Sequence, residues 1–184
     1  MIKKMIKGYS IDLFALFISI IALYFTIWQS NEQIKHNHVS VEPRLTSYFA
    51  SDTKLEKYGI YIINNGMGTA FVKELKVFVD GHEVPDHTWG KFFSAAMLLE
   101  LNPLCFVIGG PRPNDSFGVG NLQYLIEGKF DPVVLPYEEC HNDRQALQEA
   151  QKNRLDYKMI IESIYGDTFE YHYRSNTQRD LSDD

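Results

Sequence analysis

The longest apolar run in the chain lies close to its amino terminus. Residues 11–28 read IDLFALFISIIALYFTIW, and only Asp12, Ser19 and Thr26 are polar among them. Apolar side chains would occupy every face of a helix rather than one stripe, which is typical of a helix surrounded by lipid. About 20 residues at about 1.5 Å each span a hydrocarbon core of about 30 Å. The pattern therefore predicts a single transmembrane helix over residues 11–29.

Large aromatic and aliphatic side chains define this predicted anchor. Tyr9 and Trp28 fall where aromatic belts would lie at the membrane surfaces. Ser19 and Thr26 can hydrogen-bond back to their own helix. A cleaved signal peptide is the alternative, but its apolar region usually has about 7–15 residues followed by small residues. Because this run ends in Thr26-Ile27-Trp28-Gln29-Ser30, we favour an uncleaved anchor. The anchor residues are Tyr9, Leu13, Phe14, Phe17, Ile20, Ile21, Leu23, Phe25 and Trp28.

The basic flank over residues 1–10 indicates an orientation. It carries Lys3, Lys4 and Lys7, whereas the far side of the helix has Lys35 and Arg44. Positive charge next to a transmembrane helix prefers the cytoplasm. We therefore predict a single-pass protein of the cell inner membrane, with its carboxy-terminal domain outside the cytoplasm.

Beyond a polar stalk over residues 30–42, apolar and polar positions alternate with a period of two. Such alternation between turn residues predicts strands with one buried face. The predicted strands cover residues 44–49, 58–63, 69–79, 82–84, 104–108, 122–126, 155–161 and 169–173. Residues 175–184 are acidic and nearly free of apolar side chains, which predicts a mobile tail. The fold class is mainly β: a transmembrane helix followed by a small antiparallel β-sandwich (Ig-like) over residues 43–174, with two inserted helices.

Two segments break the strand period and predict the inserted helices. One opens at an Asp86 cap and places apolar residues on one face at helical spacing, namely Trp89, Phe92, Phe93, Ala96 and Leu99. The other is polar and runs from Asn142 to about Asn153. We expect the first helix to close one end of the sheet core and the second to lie on the surface.

Five short motifs occur in order along the chain. They are the anchor end Trp28-Gln29, the link over residues 36–43, the turn Asn64-Asn65-Gly66-Met67-Gly68-Thr69-Ala70, the hairpin Asp80-Gly81 and the closing segment over residues 163–167. Glycine and asparagine in these turns can adopt positive φ. Together the motifs resemble a set of small, uncharacterised bacterial single-pass membrane-anchored proteins. The resemblance implies a shared anchor and a C-terminal β-sandwich-like domain, but no activity and no functional residue.

Charge and cysteine content narrow the choice of partners. Of 18 basic and 24 acidic residues, three basic and one acidic precede Ser30, so the remainder has 15 against 23 and a net charge of about −8. That charge argues against binding to a phosphate backbone, so we predict no nucleic-acid partner. We favour a buried apolar role for Cys105 and a loop thiol for Cys140, and one disulfide between them is the alternative.

The histidines and cysteines do not form a convincing catalytic or metal site. His36 and His38 would share one face of a strand, but a tetrahedral metal site needs further ligands that only distant residues could supply. Cys140-His141 resembles a nucleophile and its base, yet adjacent residues of an extended chain point to opposite sides. We therefore predict no catalytic residue, no metal and no cofactor.

The loop over residues 109–120 supplies the favoured functional surface. Arg112 and Phe117 belong to the residue types that are enriched in protein contacts, and we expect both to be exposed. The hypothesis is a non-enzymatic membrane protein that presents its sandwich to a protein partner as an accessory, sensor or scaffold subunit. Two alternatives stay open: a membrane-tethered hydrolase or metal-dependent enzyme, and a membrane-perturbing effector of a defence system.

Overall fold

A computed structural model of the chain describes residues 2–52, 57–129 and 140–181, with the side chains of residues 2–11 outside the description. The chain divides into two compact units, Met1–Ser40 and Val41–Asp184. The first is one helix and the second is built from two antiparallel sheets with short helices. The predicted class, mainly β after an N-terminal apolar helix, is confirmed.

Helix α1 spans Ile2–Ser40 and continues without interruption through the predicted polar stalk. The Ser19 hydroxyl donates to the Ala15 carbonyl and the Thr26 hydroxyl to the Ala22 carbonyl, each at 2.8 Å. These bonds satisfy the polar groups of the apolar run within the helix itself, as the sequence predicted. The helix ends three residues before Pro43, whose ring disfavours a helical backbone at the preceding residue.

The second unit contains two sheets. The described strands are β1 (Leu45–Asp52), β2 (Lys57–Asn64), β3 (Ala70–Val79), β4 (His82–Glu83), β5 (Phe106–Ile108), β6 (Ser116–Phe117), β7 (Leu122–Gly128), β8 (Leu155–Glu162), β9 (Thr168–His172) and β10 (Thr177–Asp180). The smaller sheet has the order β1-β2-β7-β5. The larger sheet has the order β10-β9-β8-β3-β4, and β6 also pairs with β3. Every pairing among these strands is antiparallel.

One hydrophobic core receives side chains from both sheets. Strand β8 shows the pattern clearly, because Leu155, Tyr157, Met159 and Ile161 are all fully buried while the residues between them are partly exposed. Opposite them, Ile60 and Ile62 of the smaller sheet belong to the same core. The alternation that predicted the strands therefore also identifies their buried face.

The two inserted helices differ in detail from the prediction. Helix α2 spans Lys91–Leu98 and begins after Gly90 rather than at Asp86. Phe92 and Ala96 are buried as expected, but Trp89 precedes the helix and is 65% exposed, so the prediction of a core position for Trp89 is wrong. Helix α3 spans His141–Asn153 and follows Cys140.

The turn over residues 64–68 is held by the buried side chain of Asn64. Its amide nitrogen donates to the carbonyls of Gly68 and Phe117, at 2.7 and 2.9 Å, and its carbonyl oxygen accepts from the N–H groups of Arg44 and Gly66, at 3.1 and 3.0 Å. No residue of this turn has positive φ, contrary to the prediction. Glycine is needed for space instead, because a β-carbon at Gly68 would overlap the Val41 carbonyl oxygen.

The predicted mobile tail instead contributes a strand. Thr177–Asp180 pairs with β9, and one side chain of this strand and one just before it reach the smaller sheet. The side-chain oxygens of Asn176 and Gln178 accept from the backbone N–H groups of Ser47 and Leu45, respectively, each at 3.1 Å. Strand β10 has no alternating apolar pattern. It is held instead by backbone pairing with β9 and by these side-chain hydrogen bonds. Its sequence therefore gave no strand signal.

A disulfide joins Cys105 to Cys140. Their α-carbons are 5.4 Å apart, and both residues are buried in the core. Two unpaired cysteines were the favoured interpretation, and the structure supports the alternative. Near this bond, the Asn102 N–H donates to the Asp143 carboxylate at 2.9 Å, so α3 is linked to residues 102–105 in two ways.

Candidate functional site: an open edge of the larger sheet

The first functional surface is the apolar helix itself. The part of α1 over Asp12–Ser40 is long and apolar enough to cross a membrane, and none of its apolar window is buried. Each predicted anchor residue from Leu13 to Trp28 is exposed, and these are Leu13, Phe14, Phe17, Ile20, Ile21, Leu23, Phe25 and Trp28. The side chain of Tyr9, the remaining predicted anchor residue, lies outside the described side chains.

The second surface lies along the outer edge of β3, which two short strands cover only at its ends. At one end β4 pairs with Phe78 and Val79, and at the other β6 pairs with Ala70 and Phe71. The covered ends extend slightly further through one backbone hydrogen bond on the β4 side and two, both to Val72, on the β6 side. The Val84 N–H donates to the Val77 carbonyl at 2.9 Å, and the Val72 N–H donates to the Asp115 carbonyl at 2.8 Å. On this outer side, residues 73–76 between these bonds have no strand beside them in the described structure.

The backbone of Leu75 faces this opening. In an antiparallel strand the hydrogen-bonding groups of successive residues point to alternate sides, so Leu75 faces the same side as Val77. The Val77 carbonyl accepts a bond from the β4 side, which places the Leu75 N–H and C=O on that outer side as well. Over the described ranges, no protein group hydrogen-bonds the Leu75 backbone there. The Leu75 side chain is buried in the core, so the strand itself is fixed.

Prolines end both flanking segments. Pro85 directly follows the hydrogen-bonded Val84, and Pro111 and Pro113 stand in the segment on the β6 side. Proline has no N–H to donate, so neither segment can extend its pairing along β3. A bulge in the ladder with β8 falls between Val72 and Glu74, inside the same opening. The bulge and the prolines on both sides therefore keep this gap open.

The opening widens into a cleft with a volume of about 360 Å³. Residues 73–75 of β3 form one side, and residues 111–113 form another. Asp86, His87, Gly90 and Lys91 complete its lining from the segment that precedes α2 and the first residue of that helix. Three segments that are distant in sequence thus meet at one site.

Stacked rings form a wall beside the cleft. The His87 ring stacks on Phe93, with centroids 4.6 Å apart, and Trp89 meets the same Phe93 ring edge-on at 4.7 Å. The backbone N–H of Trp89 donates to Nδ1 of His87 at 3.1 Å, which fixes the orientation of the His87 ring. Gly90, with φ of 94°, lets the chain turn from this wall into α2. The wall is thus held in place while Trp89 stays largely exposed.

The charges that line the cleft are mostly paired. Lys73 contacts Glu162 at 2.9 Å, Glu74 contacts Lys76 at 3.0 Å, and Lys91 contacts Glu83 at 2.8 Å and Asp86 at 3.5 Å. Burial disfavours the charged form of Lys91, but the hydrogen bond and charge of Glu83, together with Asp86, outweigh burial and raise the pKa of Lys91. Arg112 is different, because its exposed guanidinium has no ion pair within the described part of the chain.

The structure separates the two predicted contact residues. Arg112 is exposed at the cleft, as expected. Phe117 is only 1% exposed and pairs through β6 with Ala70, so the expectation of an exposed Phe117 is wrong. The loop that carries both residues folds back onto β3, and this long-range pairing places the aromatic ring in the core.

The remaining sequence candidates are not brought together. His36 and His38 lie on α1, where side chains two positions apart are separated by about 200° around the helix axis. They therefore do not share a face, as the strand interpretation required. The disulfide occupies the Cys140 sulfur, so the adjacent Cys140-His141 pair has no free thiol. Among the described residues, no group of three or more histidine, cysteine, aspartate or glutamate side chains could hold a metal ion.

Sequence reasoning missed most of the cleft. The available signals were local: Pro85 just after a short hairpin strand, and Pro111 and Pro113 close to a predicted strand. These prolines indicate edges that cannot extend, but the sequence does not show that both edges belong to the same strand.

Comparison with known proteins adds no family to this description. No protein-family model matches the chain, and no match was found among curated proteins or solved structures.

Proposed function

We propose that this chain is a non-enzymatic, single-pass membrane protein that presents its β-sandwich outside the cytoplasm to a partner protein. In this role it acts as an accessory, sensor or scaffold subunit of the cell inner membrane. The observation that carries the proposal is the cleft on β3, where the unpaired Leu75 backbone and the exposed Arg112 occur together, with the exposed Trp89 in the wall beside it.

Helix α1 supports the membrane part of the proposal. Its large apolar side chains are exposed along the run from Leu13 to Trp28, and apolar surface of this extent is stable only when lipid or another apolar partner covers it. The three lysines before the run, Lys3, Lys4 and Lys7, favour an amino terminus in the cytoplasm.

The disulfide supports the location of the sandwich. Structural disulfides form and persist mainly in oxidising compartments, whereas cytoplasmic thiols are kept reduced. The bond between Cys105 and Cys140 is buried, which is typical of a structural bond. Charge bias and disulfide chemistry thus favour the same orientation.

The composition of the cleft and of the ring wall beside it supports a protein partner. Tryptophan and arginine are the residues most enriched among those that dominate binding energy at protein interfaces. Trp89 and Arg112 combine this character with exposure, and the paired charges around them limit the cost of desolvation. The loop that the sequence singled out through Arg112 forms part of this surface.

Site-specific photo-crosslinking tests the proposal. The full chain is expressed in its native host with a photoreactive residue in place of Arg112. We expect this residue to give a reproducible covalent adduct with another protein. The matched control is the same residue at Tyr48, which is exposed on β1 near the opposite edge of the sandwich, beside β10. A specific adduct at position 112 that is absent at position 48 supports the proposal. Equal labelling at both positions, or no adduct at either, contradicts it.

A further inference from the structure

We propose that the partner binds through an extended peptide segment that carries a carboxylate and adds as a strand along β3 in the gap between β4 and β6. This inference deepens the proposed function and rests on it, since it specifies the chemistry of the partner. Strand addition to an exposed sheet edge is a general mode of peptide recognition, in which backbone bonds give affinity and side-chain pockets give specificity.

The gap has the dimensions of a short strand. Four residues, 73–76, separate the last hydrogen bonds made on the β4 and β6 sides, and at about 3.3 Å per residue they span about 13 Å. An extended segment of three to four residues covers that length. A volume of about 360 Å³ lies within the range of small-ligand pockets.

The Leu75 backbone supplies the donor and acceptor that such a strand needs. A peptide residue opposite Leu75 would exchange both hydrogen bonds with it and complete the edge between β4 and β6. Because the Leu75 side chain is buried, the strand position is already fixed, and binding orders little of this chain. Pro85, Pro111 and Pro113 keep this protein's own segments from taking that place.

The charge balance specifies a carboxylate. Lys73 and Lys91 are already neutralised by Glu162, Glu83 and Asp86, so neither needs a partner from outside. Arg112 is the lining cation that stays unpaired in the described structure. A guanidinium presents a planar pair of donors that matches a carboxylate, so an Asp or Glu side chain or a chain terminus is the complementary group.

The test begins with selection from a library of displayed heptapeptides. The target is the full chain in lipid nanodiscs, and a counter-selection uses the Arg112→Glu variant. Selected peptides are expected to be enriched in Asp or Glu, and Arg112→Glu is expected to weaken them about tenfold or more. Tyr48→Ala is the matched control and should leave their affinity unchanged. Enrichment in basic residues, or failure to select any peptide that distinguishes Arg112→Glu, would overturn the inference.

The strand geometry is tested by amide exchange and by N-methylation of a selected peptide. Binding is expected to slow exchange of the Leu75 N–H at least tenfold, whereas the Lys76 N–H, which faces β8, should exchange slowly with and without peptide. Single N-methyl groups should abolish binding at alternate positions of the peptide core. Binding without protection of Leu75, or without this alternation, overturns strand addition. A specific crosslink at position 112 would then still support the proposed function, so the two failures are distinguishable.

Discussion

Replacing Cys105 and Cys140 together with alanine is expected to lower the free energy of unfolding of the sandwich by about 4 kcal/mol. The bond closes a loop with a sequence separation of 35 residues, and the chain-entropy relation gives about this value for a loop of that length. The bond also holds the start of α3 next to residues 102–105. The measurement is urea unfolding of the full chain in detergent, monitored by the near-ultraviolet circular dichroism of the buried tyrosines.

Two controls define this prediction. A reducing agent should destabilise the unmodified chain by a similar amount, and it should have no effect on the double alanine variant. Thiol titration of the denatured, unreduced chain should find no free thiol. Two titratable thiols, together with unchanged stability of the variant, would show that the cysteines are not joined.

Substituting Gly68 with alanine is expected to destabilise the sandwich by about 3 kcal/mol. The new methyl group would meet the Val41 carbonyl, a backbone atom that cannot move aside as a flexible side chain would. Relief requires displacement of residues 41–44, which the buried Asn64 side chain and the Met67 N–H hold by hydrogen bonds. The same urea titration measures the change.

Gly118→Ala provides the matched control for this substitution. The nearest neighbour to a β-carbon at Gly118 would be Asn121 Cβ, at 4.0 Å, and its φ is not positive. Gly118→Ala should change the free energy of unfolding by no more than about 0.5 kcal/mol. Equal effects of the two substitutions would mean that residues 41–44 do not pack against the turn as described.

Much of this fold is predictable from sequence because the signals are local. Strand β8 alternates buried and partly exposed residues from Leu155 onwards, and the Asp80-Gly81 hairpin stands where the dipeptide predicts it. The long apolar helix is likewise encoded by its own residues. In each case the period of the side chains reports directly on the backbone conformation.

The features that sequence reasoning missed depend on contacts between distant segments. Phe117 is buried because β6 reaches back to Ala70, and nothing near Phe117 in the sequence indicates that pairing. Strand β10 is polar, and it depends on pairing with β9 and on a side-chain hydrogen bond to β1. The cleft likewise combines residues 73–75, 86–91 and 111–113, so only Arg112 could be selected in advance, on residue type alone.

The disulfide illustrates a different limit. Burial of Cys105 was predicted from its apolar neighbours, but burial alone does not distinguish a free thiol from a bonded one. Pairing depends on the position of Cys140 at the start of α3, which only the fold establishes. Once known, the bond also changes the argument about location, since it favours an oxidising compartment.

We propose above that an uncleaved anchor holds the sandwich outside the cytoplasm. The most direct test adds a specific protease site and an epitope after Asp184 and treats intact spheroplasts with the protease, with lysed spheroplasts as the control. We expect the protease to remove the epitope in intact spheroplasts and to spare a cytoplasmic marker, while the rest of the chain stays in the membrane fraction. An epitope that survives in intact spheroplasts and is lost only after lysis would contradict it.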